Sequence, residues 1–281
     1  MRTSVTAGTI FDRTRTPLTV WFHACWLFAT SKDGVSAMAL QRQLELGSYQ
    51  TAWAMLTRLR TATVDPERRK LSGTIEVDET FYGVHAPGQR GGRQLGAKLM
   101  ILVAVERNAP KGFGRCQMEI ADNARSPTLR RFLLANVEPG STIVTDGLNS
   151  YPGATQDLYT HQPLVSPGSL AAVNLPAVHR VASLFKRWML GTHQGSAGLD
   201  HLEFNIDEFV FRCNRRTSRH RGLVFFRLLE GAVAHSAVRS KDLLVAQRPK
   251  KVKPVPPPPE TRGRPKSIDR PRERRPWRVS A

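Results

Sequence analysis

Apolar positions along the chain follow a helical period first and an alternating one later. From residue 17 to 62, Trp21, Ala24, Cys25, Phe28 and Ala29 recur at helical spacing. Asp33-Gly34 interrupts that stripe, and Ser36 can cap a second helix running to about Glu45. Leu46-Gly47-Ser48 turns the chain, after which Tyr49, Ala52, Trp53, Leu56 and Leu59 line one side of a third helix. Two helices about a short glycine-containing turn have the outline of a helix-turn-helix, and equally of a plain helical hairpin. Asp65-Pro66 closes this unit.

Strand signals follow. Residues 74–82 are rich in β-branched and aromatic side chains and predict a strand. Gly83 to Gly96 is a loop rich in Gly and Arg. Residues 99–106, almost wholly apolar, predict a deeply buried strand, and residues 115–121 a third. Residues 126–136 predict a helix capped by Ser126 with Pro127 in its first turn. Residues 141–145 predict another strand, ending at Asp146-Gly147. A polar, Pro-containing stretch runs to about residue 176, and helices follow around 179–190, 200–213 and 222–238. Three strands, a helix, a strand and then helices predict an α/β fold, a mixed sheet flanked by helices. No repeat is visible, and no apolar run reaches the ~18 residues of a membrane span.

Charge adds a partner. The 281 residues carry 42 Lys and Arg against 23 Asp and Glu, a net charge of +19. Such an excess favours a polyanion, most simply nucleic acid. Residues 248–281 hold 12 Lys and Arg, 3 Asp and Glu, and 9 of the 19 prolines, which predicts a disordered basic tail. In that tail, Arg262-Gly263-Arg264-Pro265 resembles the core of an AT-hook, which lays Arg-Gly-Arg into a narrow minor groove; a generic basic tail is the plainer reading. The rest of the chain is still basic. On the helix-turn-helix reading, Gln50, Thr51, Thr57, Arg58 and Arg60 would be exposed for DNA contact. Arg90, Arg93 and Lys98 in or beside the Gly-rich loop could track DNA, or simply be solvated. Arg212, Arg215, Arg216, Arg219, His220 and Arg221 form a second basic group. Cys25, Cys116 and Cys213 are odd in number and form no CxxC pair, which argues against a disulfide framework and against a zinc site. The N-terminus has no apolar signal segment, so the expected location is cytoplasmic, with the nucleoid.

Two carboxylates stand out. Asp78 sits inside a strand-like segment, and Asp146 sits where a strand gives way to glycine. A charge on a buried strand is costly unless paired or bound to metal, and two such residues on neighbouring strands could share Mg²⁺. A surface-facing Asp78 and a turn-forming Asp146-Gly147 are the plain alternatives. Downstream, His179, Ala182 and Lys186 share one helical face.

The ordered segments Thr6–Phe11, Glu76-Val-Asp-Glu-Thr-Phe-Tyr-Gly83, Thr145-Asp-Gly147, Leu184-Phe-Lys-Arg-Trp188, Gly191-Thr-His193 and Asp207–Arg216 resemble insertion-sequence transposases of the DDE class. The similar branch has an N-terminal zinc ribbon before a ribonuclease H-like catalytic domain. The resemblance runs from about residue 6 to about 235 and implies a ribonuclease H-like domain over 70–238, which stands between the helical, helix-turn-helix-like region over 1–65 and the disordered basic tail over 248–281. It implies Asp78 and Asp146 as catalytic metal ligands and His179 as the third, where Glu is usual, with Lys186 seven residues on. Glu203 and Glu208 are rival third ligands. It further implies two divalent ions, Mg²⁺ or Mn²⁺, and phosphoryl transfer at transposon ends and then on target DNA, within a homo-oligomeric synaptic complex. Lys186 and Arg187 would contact phosphate, and Glu79 could support Asp78 or, as strand alternation favours, face the other side of the strand. The chain starts just past where the ribbon would stand, through a late start or a lost ribbon, so no zinc is expected. A non-catalytic DNA-binding protein and a general basic architectural protein stay open as other readings.

Overall fold

The structure, a computed structural model, describes residues 4–65, 68–84, 97–108, 112–164, 175–193 and 201–236. The loop bearing Arg90 and Arg93 and the tail bearing Arg262 and Arg264 lie outside these residues.

Five strands form one mixed sheet in the order β3-β2-β1-β4-β5. β1 (Thr74–Val84), β2 (Ala97–Arg107) and β3 (Phe113–Ala121) pair antiparallel, while β4 (Thr142–Thr145) joins the other edge of β1 in parallel and β5 (Thr160–Pro163) extends it in parallel. This is the mixed sheet flanked by helices that the sequence predicts. The continuous apolar run of β2 is explained by burial on both faces. Leu102 and Ala104 face one layer, while Ile101, Val103 and Val105 face the other.

The first layer is α4 (Ser126–Asn136) with the short α5 (Tyr151–Thr155), which pack Leu129, Phe132, Leu133 and Tyr151 against Ile75, Val77 and Ile143. The second is α6 (Pro176–His193) with α7 (Leu202–Asn214), which pack Val178, Val181, Phe185, Ile206 and Phe209 against the opposite face. Tyr82 at the far end of β1 meets Phe185 edge-on, with ring centroids 5.7 Å apart. Thus α6 runs along β1, which is what brings a helix residue to a strand carboxylate.

A third core belongs to α1 (Leu18–Thr30), α2 (Ala37–Gln43), α3 (Tyr49–Thr61) and α8 (Arg221–Ala234). The predicted cap holds: the Ser36 hydroxyl accepts the Ala39 N–H. The last helix therefore closes a core begun by the first three. Val224, Leu228 and Ala232 of α8 are buried among Trp21, Phe28 and Leu59. Gly231 makes the approach possible, since a Cβ there would lie 2.1 Å from the Ala62 carbonyl oxygen.

Three local expectations change. Ser126 is not a cap: it is the first residue of α4, follows Arg125 at the cap position, and its hydroxyl donates to the Ser150 carbonyl. The polar stretch after Gly147 contains α5 and β5, where Pro152, Gly153 and Pro163 mask the usual signals. Thr57 is buried, its hydroxyl donating to the Trp53 carbonyl.

Candidate active site

β1 sets the geometry. Its alternation sends Ile75 and Val77 into the α4 layer and Glu76 and Asp78 toward α6. Glu76 pairs with Val144 in the parallel register, so Asp78 and Asp146, each two residues further on, emerge side by side. Burial pushes the Asp78 carboxyl up from its ordinary value. The N–H of Glu79, donating to Asp78 Oδ1 at 2.8 Å, opposes this; repulsion from Asp146 adds to it, and His179 partly offsets it. His179, in the first turns of α6, brings Nε2 to 3.9 Å from Asp78 Oδ2. Asp146 Oδ1 also accepts the Leu148 N–H, so the turn-forming reading and the carboxylate-pair reading hold together.

Glu79 is the next residue on the strand, yet its side chain still comes within hydrogen-bonding reach of Asp78 and, against the effect of burial, helps to lower the Asp78 pKa. The hydroxyl of the buried Tyr151 donates to Glu79 Oε1 at 3.4 Å, and burial followed by the charges of Glu79, Asp78 and Asp146 holds that phenol well above its ordinary value. Tyr151 lines the carboxylate end of the sheet, and sequence reasoning missed it because it lay in the unassigned polar stretch. Glu76 was missed too. It is fully buried and accepts the N–H groups of Ala177 and Val178 at the start of α6.

Lys186 lies two helical turns beyond His179 and is exposed, as is Arg187. Partial burial and then the neighbouring Lys98 ammonium lower the Lys186 pKa.

The remaining sites divide. Gln50 is exposed in the first turn of α3, and Arg58 is half-buried. Arg60 and Arg212, expected at DNA, instead face inward and clamp Glu208. Arg60 Nε donates to Glu208 Oε2 and Arg212 Nε to Glu208 Oε1, each at 2.8 Å. Arg212 also donates to the Phe28 and Ser31 carbonyls, and so ties α7 to the end of α1. The physical reason is burial: Glu208 is 0% exposed, and an enclosed carboxylate recruits its countercharges. Burial alone would raise the Glu208 pKa, but Arg212 and Arg60 hold it below its ordinary value. Arg215 stacks on Phe211, and Arg216 stacks on Phe113 and donates to the Phe113, Gly114 and Cys213 carbonyls. Glu203 is exposed on the first turn of α7.

A cavity of about 310 Å³ lies elsewhere, lined by Asp65, Arg68, Arg115, Gln117, Asp207 and Arg215 among others, and by none of Asp78, Asp146 or His179. Burial, then Glu203, raises the Asp207 carboxyl there to about 7.

Among the described residues, no three His, Cys, Asp or Glu side chains already meet as a metal cage. The donors at Asp78 and Asp146 nevertheless suit a hard divalent cation, because they are two carboxylates close enough to repel each other. The imidazole at 3.9 Å is a nitrogen donor beside them.

A carboxylate pair thus leaves adjacent parallel strands of the sheet, faced by a helix with a lysine two turns on. Residues 70–214 match the model of the ISXO2-like transposase domain, about half of the chain, and the chain belongs to that family. No curated protein matches the chain. Among solved structures, the Mos1 transposase paired-end complex with left transposon end is 12% identical, over 79% of this chain and 81% of that one. Its TM-score is 0.26, too low to carry structural weight.

Proposed function

We propose that the chain is a catalytically active DNA transposase that cuts phosphodiester bonds at the ends of an insertion sequence and joins the freed 3′-hydroxyl to target DNA. The single observation that carries this reading is the side-by-side emergence of Asp78 and Asp146 with His179 3.9 Å from Asp78, inside the family segment. Asp78, Asp146 and His179 would hold the divalent ion, Mg²⁺ or Mn²⁺. When bound, it supplies Lewis-acid stabilisation of phosphoryl oxygen and acidifies water.

The chain's own groups do the rest. Asp78 and Asp146 concentrate negative charge at one point of a basic protein. Lys186, with Lys98 near it, contacts a backbone phosphate as a point charge and orients the scissile bond. Tyr151 donates to Glu79, whose side chain in turn reaches Asp78, so the three groups support one another. Gln50, Arg58 and Arg187 contact DNA outside the reacting group, and Arg215 and Arg216 line its path. DNA ends and a second copy of the chain are the partners this reading requires. The full engagement of Glu208 by two arginines supports His179 over Glu208 as third ligand.

The test uses purified chain, DNA carrying the element's ends, and Mn²⁺ or Mg²⁺. Nicking and joining are expected, and Asp78→Ala or Asp146→Ala abolishes both while DNA binding persists. Equal cleavage by those variants would remove the reading.

A further inference from the structure

We propose that Glu76 is a positioning residue: one buried carboxylate fixes both the strand that bears Asp78 and the helical turn that bears His179. This rests on the catalytic reading given above.

A carboxylate with no exposure costs several kcal/mol to bury unless its charge is met. Glu76 meets it almost entirely with α6. Its Oε2 accepts the Ala177 N–H at 2.7 Å and the Val178 N–H at 3.1 Å. Pro176, which opens the helix, has no N–H, so these are the first two donors α6 offers. The negative charge sits where the helix dipole is positive. Its Oε1 makes no hydrogen bond, and the half-exposed Arg107 lies 3.8 Å from it. Leu175, the residue before α6, has no side-chain acceptor and cannot serve instead.

The placement is what matters. Glu76 and Asp78 are two residues apart on one face of β1, about 7 Å along the strand. Val178 directly precedes His179. Otherwise α6 meets the sheet through Val178, Val181, Phe185 and Met189, apolar contacts that do not fix its rotation. Its directional bonds from Trp188 and Thr192 to the Asp33 carbonyl lie at the opposite end of the helix from His179. A slip of one residue is about 1.5 Å of rise and 100° of turn, which would swing the imidazole away from Asp78. Two directional hydrogen bonds to one carboxylate oppose that slip in the turn that bears His179.

The test compares Glu76→Gln, Glu76→Ala, Ala177→Pro and Asp78→Ala. Mn²⁺ binding is measured by electron paramagnetic resonance, cleavage by kcat and KM for DNA, and folding by thermal melting. Glu76→Gln keeps an oxygen acceptor and is expected within about threefold of wild type. Glu76→Ala is expected to weaken Mn²⁺ binding roughly 10- to 100-fold, the range for groups that orient metal ligands, and to lower kcat with KM unchanged. Ala177→Pro removes one donor at a helix position that tolerates proline and is expected to fall between them. Wild-type Mn²⁺ binding and kcat in folded Glu76→Ala, with Asp78→Ala impaired, would overturn the positioning role alone. Should Glu76→Ala not fold, wild-type binding in Ala177→Pro would overturn it. Unchanged binding and cleavage in Asp78→Ala would instead overturn the catalytic reading beneath it.

Discussion

Replacing Glu208 by alanine separates a structural clamp from a metal ligand. The side chain is fully enclosed, and its two oxygens take Arg60 and Arg212, whose side chains are 7% and 15% exposed, at 2.8 Å each. Removing the carboxylate leaves two buried guanidinium groups without their anion, a change that costs about 3–5 kcal/mol. For a domain of this size each kcal/mol shifts Tm by roughly 2–4 °C, so a fall of about 6–20 °C is expected. Glu208→Gln keeps the shape and one acceptor and falls by less. Because Arg212 and Arg60 depress the Glu208 pKa, its stabilisation is complete above the unfolded-state value of about 4.3 and disappears as pH falls through the folded value. The gap between wild type and Glu208→Gln therefore stays constant through neutral pH and closes only in acid. Urea melts from pH 3 to 8, run beside cleavage assays below the mutant's Tm, read both quantities. A Glu208→Ala chain as stable as wild type but inactive in cleavage would refute the clamp and make Glu208 a ligand.

Other consequences follow from single positions. Gly231→Ala, ordinarily a helix-stabilising change, should lower stability by about 1–3 kcal/mol, because the added Cβ meets the Ala62 carbonyl oxygen at 2.1 Å; a rise in Tm would contradict the α8–α3 packing. Asp207, raised to about 7 by burial, is at no disadvantage below the unfolded-state pKa of about 3.9 and destabilises the fold increasingly as pH rises to 7. Asp207→Asn should therefore gain on the order of 2–4 kcal/mol at pH 8 and nothing at pH 3.5, as read by denaturant melts. Burial first, then Arg60, lowers His193 to about 4, so the fold should lose up to about 3 kcal/mol between pH 6.5 and 4 as the unfolded chain takes up the proton first; His193→Gln should flatten that part of the profile.

The sheet and most helices were legible because burial follows simple periods. β2 reads as buried because both its faces are covered, and the stripes of α1 and α3 match their packed sides. The pairing of β4 with β1 was not legible, since four residues carry no register, and that register is what sets Asp146 beside Asp78. Polar residues misled wherever burial met charge with charge. Arg60 follows Leu56 by one helical turn and was on the inward stripe, yet its guanidinium suggested solvent. Glu208 read as a rival metal ligand and Arg212 as part of a basic surface group, whereas four apart on α7 they pair in the interior. Glu76 lies on the polar alternation of β1, and only the lid of α6 makes that face an interior one.

The helical core shared by α1, α2, α3 and α8 has a temporal side. A ribosome adding about 5–20 residues per second needs on the order of ten to thirty seconds to get from the end of α3 to the end of α8. Through nearly all of that interval Trp21, Phe28 and Leu59 lack the Val224 and Leu228 that cover them. The nascent chain thus carries an open apolar surface while its sheet is being made, which is a substrate for chaperones. A gene fragment ending after α7 would hold it in that state permanently, so such truncations should accumulate as aggregate rather than as a smaller working protein.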